Sequence, residues 1–260
     1  MRFKLTIEYN GTRYSGWQIQ KNARTVAGDI ERAIGEATGA HGFELYGSGR
    51  TDAGVHALRQ VAHLEIRTTL PPSTLKERIN DALPSDIVLL AVEAVPHRFH
   101  ARHDPVARSY IYQIARRKTA FSKHVVWWVK DPLDLQAMQQ AAARFVGFHD
   151  FRSFSDDDPD EKSTTVQLDA LDVYEDGDLI LVHVEGSHFI WKLVRRLVGI
   201  LVEVGKGRLT AERAADLLTS DSPLPAQLTA PASGLLLERV YYPGDARDQP
   251  VTAAVVMTGS

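Results

Sequence analysis

Hydrophobic and polar residues alternate at the start of the chain in the pattern of a half-buried β-strand. Residues 3–9 place Phe, Leu, Ile and Tyr at every second position, with Lys, Thr and Glu between them. Apolar residues then recur at three- and four-residue spacing over 26–37, which predicts a helix, and they alternate again over 62–66. The chain therefore begins with a predicted strand, helix and strand.

A second helix and strand follow in the first part of the chain. Thr74 and Glu77 have the spacing of a capping box, which predicts a short helix that reaches Leu83 and ends at Pro84. An apolar run over 87–95, interrupted only by Glu93, predicts a buried strand.

The remaining residues predict further strands and helices. We expect strands over 109–115, 165–174, 179–185 and 235–242, and helices over 134–145, 189–204 and 210–218. Gly147 is expected to end the first of these helices, and Glu175-Asp176-Gly177-Asp178 to form a hairpin turn. Strands joined by hairpins as well as by helices predict an α+β fold with a largely antiparallel sheet.

The composition is that of an ordinary soluble protein, with 44% hydrophobic and 24% charged residues among 260. The sequence has no apolar run long enough to span a membrane, and its strand-like first residues do not resemble a signal peptide, so we expect a cytoplasmic protein. It contains no cysteine, which excludes disulfides, thiolate metal sites and a cysteine nucleophile. The net charge of −3 means that binding to nucleic acid would need local basic patches.

The clearest candidate chemistry lies in one glycine-rich segment. Residues 47–57 read Gly-Ser-Gly-Arg-Thr-Asp-Ala-Gly-Val-His-Ala, and the three glycines permit positive φ angles and close approach to a ligand. Arg50 beside Asp52 suits a site that acts on an anionic substrate. The alternative is a tight turn in which Asp52 binds its own backbone.

This segment resembles the catalytic loop of the TruA-type tRNA pseudouridine synthases, whose run Gly-Arg-Thr-Asp-Ala-Gly-Val-His it matches at residues 49–56. The resemblance extends in order along nearly the whole chain. It continues in Tyr9-Asn10-Gly11-Thr12, Tyr14-Ser15-Gly16-Trp17-Gln18, Phe99-His100-Ala101-Arg102, Ala107-Arg108-Ser109-Tyr110-Ile111-Tyr112, Val194-Arg195 and Val198-Gly199.

The resemblance implies the pseudouridine synthase fold, in which two α/β halves with mainly antiparallel sheets meet at a central, positively charged catalytic cleft. We accordingly expect halves at 1–105 and 106–245 and a tail at 246–260. The implied activity is isomerisation of uridine to pseudouridine in the anticodon stem-loop of tRNA, by a homodimer that uses no cofactor and no metal. A pseudouridine synthase for another RNA, and a catalytically silent RNA-binding protein or chaperone of the same fold, are the alternatives.

The resemblance also assigns roles to residues. Asp52 is the expected catalytic carboxylate, as nucleophile or base, and Arg195 its cationic partner. Tyr110 is expected to stack on the uracil and assist the proton at C5, and Arg50 to fill the gap that the flipped base leaves in the RNA. Further expected RNA contacts are Thr51, His56, Arg102, Lys192 and Arg196. The chain departs from the family pattern at Gln167, Trp191, Lys192 and Arg196, which bear on the RNA target.

The residues themselves leave other interpretations open. Tyr110 alternates with Tyr112 in a predicted strand and could simply belong to the core. The histidines at 97, 100 and 103 could bind a metal if they were helical, but their neighbouring arginines and a following proline better suit an irregular segment facing RNA.

Two charged segments indicate where an anionic partner such as RNA could bind and where it could not. In the helix predicted over 189–204, the side opposite the apolar face carries His188, Lys192, Arg195 and Gly199, and cations on a buried helix favour an anion facing them. The acidic segment 156–161 fits a solvated loop better than a metal site, because metal ligands must be spaced and converge. Its charge would repel RNA, so we expect it to lie away from the RNA-binding face or in a mobile loop.

Overall fold

A computed structural model describes residues 1–156 and 162–257 of the chain. In chain order its elements are β1 (Arg2–Tyr9), α1 (Val26–Thr38), β2 (Phe43–Gly47), β3 (His56–Ile66), α2 (Pro72–Ala82), β4 (Ile87–Val95), β5 (Ala107–Ala115), β6 (Trp127–Trp128), α3 (Leu135–Ala143), β7 (Gly147–Asp150), β8 (Thr165–Asp176), β9 (Leu179–Gly186), α4 (Leu193–Gly205), α5 (Ala211–Asp216), α6 (Leu224–Gln227) and β10 (Leu235–Tyr241). The predicted α+β class with mainly antiparallel strand pairing is confirmed.

The chain divides into two compact units. The first unit comprises Met1–Val106 and Leu236–Arg247, and the second comprises Ala107–Leu235 and the residues from Asp248 onward. We predicted that 235–242 would belong to the C-terminal half. Instead β10 lies mostly in the first unit, because Leu236 and Leu237 pair in parallel with β3.

In the first unit, β1 lies between β3 and β4 and pairs antiparallel with both. Phe3, Leu5 and Ile7 on one side of β1 are completely buried, as their alternation predicts. The strand predicted over 87–95 is present as β4, but it is less buried than predicted, because exposed and partly exposed residues alternate with its buried ones. The reason is its position at the edge of the sheet beside β1.

The predicted capping box is also wrong. α2 begins at Pro72, and its N-cap residue Pro71 makes no side-chain hydrogen bond. Thr74 therefore lies inside the helix rather than at its start. Proline is favoured in the first helical turn because that turn's N–H groups have no partner within the helix.

The second unit contains an antiparallel sheet in the order β5, β9, β8, β7. Gly177, with φ of 57°, occupies the predicted hairpin turn between β8 and β9. Gly147 does not end α3. The helix ends at Ala143 with Arg144 as its C-cap, and Gly147, with φ of 119°, opens β7 instead.

The tail packs against the second unit. Val251, Ala253 and Val255 contact a buried apolar cluster that includes Ile111 and Leu181 of the sheet. The Ala254 N–H donates to Oε1 of the buried Gln113, at 2.7 Å. Of the predicted tail 246–260, residues 248–257 thus belong to this unit and residues 246 and 247 to the first, and the last three residues lie outside the described residues.

No helix among the described residues is both long enough and apolar enough to cross a membrane.

Candidate active-site residues

The segment that carries Asp52 connects β2 to β3 and is held by backbone hydrogen bonds. Ser48 N donates to Val61 O at 2.7 Å, and Val55 N donates to Asp52 O at 3.1 Å. Asp52 is partly exposed and Arg50 is exposed. The fold therefore presents a carboxylate and a guanidinium at the surface of the first unit, two residues apart on one fixed loop.

The three glycines of this loop were predicted to permit positive φ angles and close approach to a ligand, but they do not all serve that purpose. Of the three, only Gly54 has a positive φ, of 79°. A Cβ atom at Gly47 would lie 2.6 Å from the Trp17 indole, so this glycine is needed for packing. A Cβ atom at Gly49 would meet nothing within 4 Å, and no contact explains that residue.

The turn that follows β1 packs closely against the Asp52 loop. A Cβ atom at Gly11 would lie 1.9 Å from Val55 O, and one at Gly16 would lie 2.6 Å from Thr51 O. Trp17 N also donates to Thr51 O, at 3.1 Å. These two glycines stood in the motifs that carried the resemblance, but only the structure shows that they admit the backbone of the loop.

Two of the predicted RNA contacts, Thr51 in this loop and His56 directly after it, are buried. The Thr51 hydroxyl is 2.8 Å from the Tyr9 hydroxyl, and His56 Nδ1 accepts a hydrogen bond from Gly11 N at 3.0 Å. In this arrangement Thr51 and His56 hold the loop and the turn together. Their polar groups are used inside the first unit.

In the second unit Tyr110 and Tyr112 point to the same side of β5 but have different surroundings. Tyr112 is completely buried, and its hydroxyl donates to Pro231 O at 2.7 Å. Burial raises the pKa of Tyr112 well above its usual value, which keeps the hydroxyl protonated. Tyr110 is partly exposed, and its ring packs edge-on against Phe189 with 4.8 Å between ring centroids.

Arg195 is anchored to the segment that follows α6. Its Nε donates to Ala230 O at 2.7 Å, and Ala230 N donates back to Arg195 O at 3.0 Å. Gly199, one turn later in α4, lets this segment approach, because a Cβ atom there would lie 1.7 Å from Leu228 O. The backbone of this segment therefore occupies the space beside Gly199. The predicted pairing of Arg195 with Asp52 would join the second unit to the first and stays a prediction.

We predicted that His188, Lys192, Arg195 and Gly199 would lie along one side of a single helix. This prediction is wrong for His188 and Lys192. α4 begins at Leu193, and Lys192 before it adopts a left-handed conformation with φ of 65°. His188 and Lys192 therefore precede the helix and do not share a face with Arg195. Burial is the main cause that lowers the pKa of His188, and Arg108 adds to it.

Lys192 and Arg196 are both bound to a carboxylate of the acidic segment. Lys192 Nζ donates to Asp156 Oδ2 at 2.6 Å, and Arg196 Nη2 donates to Asp156 Oδ1. Asp156 therefore contacts two residues that were predicted to bind RNA, so this first residue of the segment does not lie away from them. The rest of the segment, 157–161, lies outside the described residues.

Of the three histidines that could have bound a metal, His100 and His103 pack together and His97 has a different partner. His97 is bound to Glu65 at 2.8 Å, whereas His100 packs on His103 and on the buried His63, at centroid distances of 4.2 and 4.7 Å. Burial is the main cause that lowers the pKa of His63 to about 4. No group of three or more potential ligands within the described residues could hold a metal ion. Arg102 is exposed in the same segment.

Comparison with known proteins identifies the family. A sequence model described as tRNA pseudouridine synthase matches residues 5–104 and 141–243. The chain is 42% identical over 244 residues to tRNA pseudouridine synthase A of Rhodopseudomonas palustris, an alignment that covers 93% of this chain and 99% of that protein. It is 39% identical over 243 residues to tRNA pseudouridine synthase A 2 of Clostridium tetani, covering 92% and 98%. These matches confirm the resemblance seen in the motifs, and the chain belongs to the tRNA pseudouridine synthase family.

Proposed function

We propose that this protein isomerises uridine to pseudouridine in the anticodon stem-loop of tRNA. The observation that carries the proposal is the Asp52 loop, which presents a carboxylate beside Arg50 and is fixed by the close packing of Gly11 and Gly16. A turn whose only purpose was to reverse the chain would not need this second segment of backbone packed against it. Family membership supplies the reaction, and the loop supplies the reacting group.

The reaction is a rearrangement within one nucleotide. The bond from N1 of uracil to C1′ of ribose breaks, the base turns over, a bond forms from C5 to C1′, and the proton on C5 is lost while N1 gains one. Nothing is oxidised or reduced, so a carboxylate and groups that position the base suffice. We assign the carboxylate to Asp52, as nucleophile or base towards the ribose.

The other roles are part of the same proposal. Tyr110 stacks on the uracil with its partly exposed ring, which Phe189 holds from one side. Arg195 stabilises the Asp52 carboxylate as an anion. Arg50 and Arg102 are exposed and bind RNA, Arg50 at the position that the flipped base vacates. We propose that the protein acts in the cytoplasm as a homodimer, which light scattering after size-exclusion chromatography would test.

Replacing the catalytic carboxylate tests the proposal directly. We expect Asp52→Asn to abolish tritium release from tRNA carrying uridine tritiated at C5, because Asp52 is the only carboxylate in the segment 47–57. Its affinity for tRNA should remain, since phosphate contacts elsewhere provide most of the binding energy. Glu36→Gln on α1, which removes a charge from an exposed ion pair with Arg32, is the control and should keep full activity.

Repeated turnover by Asp52→Asn would contradict the mechanism. Binding of tRNA without tritium release by the unaltered protein would favour a silent RNA-binding protein. The remaining alternative is a pseudouridine synthase for another RNA. Mapping pseudouridines in a strain that lacks the gene tests it. If this alternative is correct, the pseudouridines of the tRNA anticodon stem-loop are still present in that strain.

A further inference from the structure

Two cations just before and within the first turn of α4 share one carboxylate. Asp156 receives Lys192 on one oxygen, at 2.6 Å, and Arg196 on the other. Its side chain is 36% exposed, so the shared carboxylate can be reached from solvent. Two cationic groups that converge on two oxygens of one anion form an arrangement that would equally bind the oxygens of a phosphate.

Arg196 supplies a second indication of an anion-binding site. Only 2% of this residue is exposed, and its Nε has no hydrogen-bond partner within the described part of the chain. Its Nη1 is 3.5 Å from Ser153 O, at the limit of a hydrogen bond. A buried guanidinium with an unused donor is costly, and Asp156 satisfies only part of its hydrogen-bonding capacity.

An aromatic surface adjoins these cations. Trp191 is 49% exposed, and Lys192 Nζ lies 4.4 Å from the centroid of its ring. The left-handed backbone of Lys192 is unfavourable for a residue other than glycine, and such strain is more common at functional sites than elsewhere. The Lys192 ammonium group thus contacts both the tryptophan and the Asp156 carboxylate.

We infer that Trp191, Lys192 and Arg196 bind one nucleotide of the RNA substrate, with Asp156 occupying the phosphate position until RNA arrives. The phosphate is held by Lys192 and Arg196, and an unpaired base stacks on the exposed face of Trp191. An RNA ligand is favoured over a phosphorylated peptide because a base provides the flat ring that an exposed indole binds. Because the ligand is RNA, this role depends on the tRNA-modifying function proposed above.

The exchange has an electrostatic consequence that can be measured. A phosphodiester carries one negative charge, as Asp156 does. In the unaltered protein the displaced carboxylate remains near the site and offsets one of the two positive charges. In Asp156→Asn both positive charges are available to the RNA, so more of the cations condensed on its phosphates are released, which steepens the dependence of affinity on salt.

We expect Asp156→Asn to bind tRNA more tightly at low salt and to steepen the log–log salt slope by about 0.7, the change expected for one additional positive charge neutralising a phosphate of a single strand. Asp131→Asn is the matched control, because that carboxylate also faces two cations, Lys206 and Arg208, and its loss changes the net charge equally. The double variant Asp156→Asn with Lys192→Ala should lose the gain in affinity.

The tryptophan is tested separately, at an exposed side chain whose removal leaves the ion pairs in place. Trp191→Ala should weaken tRNA binding by roughly 5- to 150-fold, the loss expected for one stacked base, while Trp191→Phe retains most of the affinity. Trp128→Ala is the control, since Trp128 is 41% exposed and also has a lysine, Lys118, over its ring.

The assignment is overturned if Asp156→Asn gives the affinity and slope of Asp131→Asn, or if Trp191→Ala binds as tightly as Trp128→Ala. Tritium release by the unaltered protein is measured in parallel. With that activity present, either result removes this nucleotide site and leaves the proposed function intact. Without it, the proposed function itself fails.

Discussion

Tyr110 and Tyr112 have the same side chain and lie two residues apart on β5. Substitutions at the two positions therefore distinguish the proposed role of Tyr110 in chemistry from a role in packing. Tyr112→Phe removes the hydroxyl that donates to Pro231 O and should cost about 1 kcal/mol of folding free energy with little effect on isomerisation. Tyr110→Ala should abolish isomerisation because the uracil loses its stacking partner. Chemical denaturation and single-turnover tritium release measure the two effects.

Tyr110→Phe then shows what the hydroxyl does. If the ring only stacks, this variant keeps most of its activity, whereas a proton-transfer role would cost the roughly 10²- to 10⁴-fold typical of general acid–base groups. Full activity in Tyr110→Ala would remove Tyr110 from the site, and a large loss of activity in the stably folded Tyr112→Phe would contradict its structural role.

Individual residues of the candidate site could be predicted where the chain carries a distinctive short motif. The eight residues from Gly49 to His56 located the Asp52 loop, because their order is specific. Burial was not predictable from that motif: Thr51 and His56 face Tyr9 and Gly11, which are distant in sequence. The position of Asp156 was predicted only from the acidic composition of its segment. Composition gives no information about ion pairs with residues more than 35 positions away.

At the scale of elements, α4 depends on the absence of a side chain at Gly199. A Cβ atom there would lie 1.7 Å from Leu228 O, so Gly199→Ala forces α4 away from the segment whose Ala230 O holds Arg195. We expect a loss of about 1–3 kcal/mol in stability, as for other overpacked cores, together with reduced activity. Urea unfolding and tritium release measure both.

Gly35 in α1 is the matched control, because a Cβ atom there would lie 3.8 Å from Ala40 O, an ordinary contact. Gly35→Ala should raise stability by about 0.5–1 kcal/mol, the usual advantage of alanine over glycine within a helix. Equal effects of the two substitutions would mean that helix propensity, and not the approach of Leu228, governs Gly199.

Periodicity predicted the elements well and their ends poorly. The apolar repeat over 26–37 located α1, and alternation located β1, because one face of each is buried. The start of α4 was missed because Phe189 and Ile190 continue the helical repeat, although the left-handed Lys192 separates them from the helix. A local repeat cannot show that tertiary contacts hold a neighbouring residue outside the helix.

For the whole molecule, the order of elements predicted the fold class but not how the chain is divided. Parallel pairing of Leu236 with His56 joins residues 180 positions apart and places most of β10 in the first unit. Hydrophobic patterns describe which face of a strand is buried and do not specify its neighbour. For the same reason the sequence did not reveal that the tail packs on the second unit.

That tail provides the last prediction. The family match ends at residue 243, whereas Val251, Ala253 and Val255 cover apolar side chains of the second unit. Ending the chain after Arg247 uncovers this cluster and leaves Oε1 of the buried Gln113 without the Ala254 N–H. The unsatisfied amide alone should cost about 1–3 kcal/mol.

We therefore expect the chain that ends at Arg247 to unfold at lower urea concentration than the full chain. A chain that ends at Met257 is the control, because it keeps every described contact of the tail, and it should match the full chain. Equal stability of all three would mean that the tail contributes nothing. If only the chain that ends at Arg247 loses stability, the second unit needs residues beyond the family match to complete its core.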